Sequence, residues 1–303
     1  MTTNKFSNII ATLVTNGFHI NQVDRFASNN SIISTYKYDK LGAEIRYSIL
    51  FSEDKSETAI QKSLIKIAKT YTSKPLLISD YISVSDVTIY STKQFFDFFG
   101  GIVNTGLILI PNLPDILDKL GHNKLPPSLI GDPDKLLELY TSECFQFIFQ
   151  SPTRRYGSDR SFTKLPDGIV LCKNKFMILF DSKAYKEGFG INSDDINRFA
   201  FYVNDFNNRY ADYFGNIFTF IIVSGHFTDS EKSISKRSEE LYQHCNCKIS
   251  SITSKELGNI VQLTQSYSQV KGSINWKNIF SKTIVESKHV QQEINRISKD
   301  KIY

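Results

Sequence analysis

Cysteine is scarce, four residues in 303, and none of them forms a CxxC pair. Cys144, Cys172, Cys245 and Cys247 are scattered, and three stand in apolar or strand-like runs. A disulfide framework is therefore excluded as an organising principle, and reduced core thiols in a cytoplasmic compartment are expected. His244 beside Cys245 and Cys247 lacks the partners and spacing of a common zinc site. Long apolar runs are missing too. The longest, around Gly101 to Pro111, contains Asn104 and Thr105 and is too short to span a bilayer. Near the N-terminus, polar residues interrupt Ile9 to Val14 before a signal-peptide core forms, so no membrane role is expected. Charge of one sign is in small excess only: Lys and Arg number 36 against 31 Asp and Glu, a net charge of +5 that favours polyanions without identifying one. No internal repeat or low-complexity tract stands out.

What the chain has in quantity is apolar and aromatic residues, 41% and 13%, enough for a sizeable core. At this length two domains are the default. Residues 6–16 place apolar side chains at helical spacing before Gly17. Two strand-like runs follow, Ser31 to Tyr38 and Ala43 to Ser52, joined by a hairpin connection at 39–42. Asp54 and Glu57 suggest a capped helix carrying Ile60, Leu64, Ile67 and Ala68. Short strands at Pro75 to Ile78 and Val87 to Tyr90 and a helix at Lys93 to Phe99 complete a compact α+β module over residues 1–110. Prolines and glycines crowd the next stretch, and a linker is placed at 111–134. A second domain is expected over 135–303, opening with a helix from Lys135 to about Gln150 and closing with an amphipathic helix from Trp276 onward.

The chemistry is concentrated in Leu165 to Tyr185, LPDGIVLCKNKFMILFDSKAY. GIVLC and FMILF are strand-forming runs joined by Lys173, Asn174 and Lys175. A turn centred on Asn174 sets Asp167 directly opposite Asp181, with both carboxylates on one face and Lys183, two residues on, sharing it. Facing like charges cost stability unless a cation offsets them or one acid keeps its proton. A hard divalent cation suits two aspartates without a neighbouring histidine, because Mg²⁺ takes one or two carboxylates plus water and phosphate oxygens. Lys183 would orient or help deprotonate the attacking water and stabilise charge on phosphate, which makes phosphodiester hydrolysis the expected reaction. An isolated D-x-K is most often a surface ion pair. Here it ends a strand that is apolar at every position and hence buried on both faces, a setting more usual for sites.

Pro166, Asp167 and Gly168 followed by Asp181, Ser182 and Lys183 resemble the PD-(D/E)XK nuclease motif. With Ala184 and Tyr185, the downstream VSGHF at Val223 to Phe227, and Cys245 and Asn246 with Ser250, the resemblance narrows to FokI-type cleavage domains. It covers about Lys135 to Trp276. It implies a mixed central sheet flanked by helices, an α/β (α+β) restriction-endonuclease-like fold, here preceded by the smaller α+β module. It implies Asp167 and Asp181 as metal-binding carboxylates, Lys183 as the catalytic lysine, and Glu143 on the preceding helix as a metal-assisting acid, with Glu138 nearby. Mg²⁺ is the implied cofactor, with Mn²⁺ as a substitute, and double-stranded DNA the implied partner.

Such domains dimerise through an Asp and an Arg one helical turn apart, and this sequence has Asn197 and Phe201 at those positions. Asp194 and Arg198 have the spacing on the same helix, though an intrahelical ion pair is the plainer reading. Arg154, Arg155 and Arg160 are candidate backbone-phosphate contacts, and His226 a weaker one beside its structural role at a turn.

The expected function is that of a Mg²⁺-dependent DNA endonuclease, type IIS-like, of a restriction or anti-phage defence system. It would act as a homodimer or with a larger recognition subunit. The alternatives are a strand-nicking small subunit of a heterodimeric restriction enzyme and a catalytically silent DNA-binding or interaction protein. The N-terminal module would read DNA, bind a partner, or represent a degenerate nuclease-like fold without a D-x-K.

Overall fold

The computed structural model describes residues 2–26, 30–38, 43–53, 72–81, 87–99, 108–157, 165–172 and 176–300, and falls into two compact units, Met1–Ile102 and Val103–Tyr303. The expected helix bearing Ile60 and Leu64, the turns at 39–42 and 173–175, and Arg160 lie outside the described residues.

In the first unit, helix α1 (Thr2–Thr15) precedes strands β1 (His19–Phe26), β2 (Asn30–Tyr38), β3 (Glu44–Ser52), β4 (Lys74–Ile78) and β5 (Thr88–Tyr90), and helix α2 (Thr92–Phe99) follows. The strands form one sheet in the order β1-β2-β3-β4-β5. The first two pairings are antiparallel and the last two parallel. Strands alternate their faces. Phe51 meets Phe6 of α1 at 5.7 Å, whereas its neighbour Leu50 packs with Ile32 and Leu77 on the opposite face. Strand β1 is not foreshadowed by the sequence pattern. Its residues Asn21, Gln22 and Arg25 are exposed, as suits an edge strand, and so many polar residues leave no apolar run to read.

The second unit opens with helix α3 (Leu113–Gly121), which lies inside the stretch expected as a linker. Pro114 stands in its first turn, where proline is a start signal, and Leu113, Ile116, Leu117 and Leu120 are buried in the unit's core. The order continues α4 (Pro133–Phe149), β6 (Thr153–Arg155), β7 (Gly168–Cys172), β8 (Phe176–Lys183), α5 (Ser193–Phe214), β9 (Ile217–Ser224), α6 (Glu231–Cys245), β10 (Lys248–Thr253) and α7 (Ser254–Ser266). After it come α8 (Trp276–Ile279), β11 (Ile284–Val285) and α9 (Ser287–Asp300). The expected single C-terminal helix is thus interrupted: β11 pairs in parallel with β10, and its Val285 is buried in the core.

The six strands form a mixed sheet in the order β11-β10-β9-β8-β7-β6, antiparallel across β6, β7 and β8 and parallel beyond. Helices cover both faces. Phe145 of α4 packs on Phe180 at 5.2 Å, and Phe199 of α5 stacks on Phe220 of β9 at 4.2 Å. This double covering explains why GIVLC and FMILF carry apolar residues at every position. Cys144, Cys172 and Cys247 are buried free thiols, and Cys245 is free and half-buried. Among the described residues no helix is long and apolar enough to cross a membrane.

Candidate active site

Strands β7 and β8 pair with Gly168 opposite Phe180 and Ile169 opposite Leu179, the register of a turn centred on Asn174. One step past the ladder this sets Asp167 beside Asp181. Gly168 is required there, since a Cβ would come within 2.2 Å of the Phe180 ring and 2.6 Å of the Arg154 carbonyl oxygen. On its other edge β7 is held by β6, with Arg155 opposite Gly168. The Asp167 carbonyl accepts the Tyr156 amide at 2.6 Å, which fixes the chain on which the carboxylate sits.

Asp167 Oδ2 accepts a hydrogen bond from the Ser182 amide at 2.6 Å, and Asp181 Oδ2 lies 2.5 Å from Lys183 Nζ. Asp181 is only 3% exposed. Desolvation, then the Asp181 charge, pushes the Asp167 carboxyl well above the ordinary range, against the opposing pull of Lys183. Burial works against the Lys183 ammonium, yet the carboxylates of Asp181 and Asp167 outweigh it and hold its pKa above the usual value. Lys183 is therefore a fixed positive charge in the metal-free protein.

Of the two acids that α4 offers, Glu138 is the one whose charge reaches Asp167, while the Oε2 atoms of both Glu138 and Glu143 are buried without a hydrogen-bond partner. Glu138 on α4 raises the Asp167 pKa and is itself influenced by Asp181 and Lys183, whereas Glu143 is governed by its own desolvation and by Arg155. The two acids sit five residues apart on one helix, and only the placement of β7 and β8 against α4 decides between them. Desolvation pushes Glu138 up to about 7, and its Oε2 is buried with no hydrogen-bond partner. A carboxyl raised in the folded state from its ordinary value of 4.5 contributes stability below about pH 4.5 that is lost as pH rises through about 7. In EDTA the melting temperature is expected to fall across that window, and Glu138→Gln to flatten the fall. An unchanged pH profile in the variant would show that Glu138 titrates normally.

These groups fit a hard divalent cation. An orphaned, buried carboxylate oxygen and two crowded aspartates are oxygen donors whose charge needs an offset. Asp167 and Asp181 are the residues that would hold it, with the charge of Glu138 reaching them from α4. Among the described residues no group of three or more His, Cys, Asp or Glu side chains is placed to hold a metal ion, so a cation here would rest on two protein carboxylates, with water and substrate oxygens completing its shell.

Arg155 stands near this acidic group, lowering both Glu138 and Glu143, while Arg154 lies over the Tyr156 ring at 5.7 Å. His226 is placed differently. Its ring stacks on His122 at 5.3 Å and presses against Gly188, and its Nδ1 is buried without a partner, so it braces the strand ends. Two residues of α5 not expected at the site, Tyr202 and Arg198, both interact electrostatically with Lys183. They come from a helix whose polar residues form no motif. Arg198 pairs with Asp195 at 2.5 Å, and Asp195 belongs to the helix-capping box, so the Asp194–Arg198 pair is not formed.

The family description "FokI, cleavage domain" matches residues 129–286, slightly more than half of the chain. No curated protein matches. Among solved structures, the chain is similar to the restriction endonuclease FokI at 17% identity and a TM-score of 0.40, covering 53% of this chain and 29% of that one. It is also similar to FokI bound to DNA at 14% identity and a TM-score of 0.44, covering 67% of this chain and 38% of the other. The chain thus spans well under half the length of either.

Proposed function

Because the chain belongs to the FokI cleavage-domain family, we propose that it is a Mg²⁺-dependent DNA endonuclease that hydrolyses phosphodiester bonds of double-stranded DNA. The observation that carries this reading is the end of the β7–β8 hairpin, where Asp167 and Asp181 are register neighbours and Lys183 pairs with Asp181. Asp167 and Asp181 would hold the cation, with Glu143 or Glu138 of α4 as the assisting acid. Mg²⁺ in such a site supplies Lewis acidity toward the phosphate and lowers the pKa of a bound water. Mn²⁺, with similar oxygen ligation, would substitute.

The remaining work falls to the chain. In hydrolysis a water oxygen bonds to phosphorus, one P–O ester bond breaks, and the departing oxygen takes up a proton. The raised pKa of Lys183 supports a role as a positive charge facing the negative charge that grows on the phosphate, in preference to a base. The buried strand ends exclude bulk water and so strengthen that attraction. Arg155 would contact a flanking phosphate. A role in restriction or anti-phage defence, with residues 1–102 reading DNA or binding a partner, extends the same proposal.

Supercoiled plasmid is the test. Cutting that begins with Mg²⁺ or Mn²⁺ and stops with EDTA is expected, and cutting that persists in EDTA would sink the reading. Linear product denotes paired cuts, by a homodimer or with a partner. Open circles alone denote a nicking subunit, a reading favoured by Asn197 and Phe201 in place of the dimer pair. No cutting on any DNA and no Mn²⁺ binding would leave a silent binding protein, whereas Mn²⁺ binding without cutting would point to a missing partner.

A further inference from the structure

The two units share an order of elements that no sequence repeat announces. Each has a first helix, three antiparallel strands, two further strands added in parallel, and a last helix that packs against the first: α1, β1 to β5 and α2 in one, α4, β6 to β10 and α7 in the other, where α5 and α6 also stand before β9 and β10. The correspondence can be made residue by residue. Lys183 ends β8 and partners Ser224, and β10 runs into α7 at Ser254. Ser52 ends β3, and one step beyond the Phe51–Ile78 pair stands Ser79, while β5 leads to α2 at Thr92.

On this register Ser52 takes the place of Lys183, Leu50 that of Asp181, and Ile32, the ladder partner of Leu50, that of Asp167. The faces agree as well. Leu50 and Ile32 lie opposite the face that meets α1, and Asp181 lies opposite the face that meets α4, since Phe51 and Phe180, their neighbours in sequence, are the residues touching those helices.

Hydrocarbon thus fills the position of the acid pair: Ile32 and Leu50 are 2% and 3% exposed and pack with Leu77. Beside it, at the same edge of the sheet, stands a partly exposed ammonium group. Lys5, near the start of α1 as Glu138 is near the start of α4, reaches Asp80 at 3.0 Å and Glu53 at 3.6 Å. Glu53 follows the end of β3 and Asp80 follows Ser79. Asp80 also accepts the Thr92 amide and hydroxyl at 2.7 and 2.9 Å. An ammonium therefore ties together the ends of two strands and, through Asp80, the start of a helix. These residues do not fit a metal ion, because the donors are apolar or already neutralised.

We propose that residues 1–102 are a second, metal-free copy of the nuclease fold, closed by the Ile32–Leu50 pair and by the Lys5 ammonium bound to Glu53 and Asp80, so that each chain carries a single hydrolytic centre. The inference rests on the nuclease reading of the second unit for its second half only.

The test is Mn²⁺ titration of the full chain, followed by the electron paramagnetic resonance of free Mn²⁺, with circular dichroism to verify folding. A chain carrying both Asp167→Asn and Asp181→Asn is expected to bind no Mn²⁺ tightly. Adding Lys5→Glu to it replaces the ammonium by a third carboxylate beside Glu53 and Asp80, and a gain of about one Mn²⁺ per chain is expected, lost again with Asp80→Asn. Binding that the double variant retains and Asp80→Asn removes would overturn the proposal, as would a folded Lys5→Glu chain that gains nothing. Native and double-variant chains that bind Mn²⁺ equally poorly would instead count against the centre in the second unit, and the Lys5→Glu gain would still decide the first.

Discussion

Asp181→Asn is expected to reduce plasmid cleavage by roughly 10³-fold or more, the scale on which metal and electrostatic stabilisation act at phosphate. The substitution keeps the side chain's shape and removes the charge that both Lys183 and the proposed cation answer to. Two effects on stability oppose each other. Asp167 loses the repulsion that raises its pKa, and Lys183 loses its 2.5 Å partner. The melting temperature in EDTA is therefore expected to move little compared with the activity. Cleavage within a few-fold of the native chain would rule out the centre, and a collapse in melting temperature would identify Asp181 as a structural residue.

Gly225→Val is expected to cost about 3 kcal/mol, at the upper end of overpacking effects, and to lower the melting temperature by roughly 10 °C. Gly225 follows β9 and Gly121 ends α3, and their backbones meet so closely that a Cβ on Gly225 would lie 2.6 Å from the Gly121 carbonyl carbon. Backbone cannot yield as a flexible side chain can. The same junction carries a hydrogen bond from the Tyr185 amide to the Gly121 carbonyl at 3.1 Å and one from the Ser224 hydroxyl to the Lys183 carbonyl at 2.9 Å. Forcing the helix away would therefore shift the strand end that aims Lys183, and cleavage should fall with stability. A folded variant melting with the native chain would mean that the contact relaxes at no cost.

Local pattern makes much of this legible in the sequence. The hairpin register follows from Asn174 at the turn and from two runs of buried β-formers, and that register alone brings Asp167 and Asp181 together. Glu138 cannot be chosen over Glu143 by the same means, because the choice depends on where the sheet meets α4. His226 reads as a structural histidine at a turn or a weak phosphate contact, but its stacking on His122 joins residues 104 positions apart, which no local spacing encodes. Helix α3 is hidden because proline density marks both linkers and helix starts. The pairing of the two units is hidden more deeply: it survives in strand order, while the residues that would announce it are Ile32, Leu50 and Ser52 in place of two aspartates and a lysine.

The parallel run of β8, β9 and β10 gives the second unit two unlike rims. One receives the carboxyl ends of these strands and gathers Asp181, Lys183 and Ser224. The other receives their amino ends and the turn at Asn246, which closes α6 in a left-handed conformation with Gln243 and His244 exposed. Fluorophores, affinity handles or fused targeting modules attached through that turn would thus stand a full strand length from the rim that carries the proposed centre, leaving that rim clear.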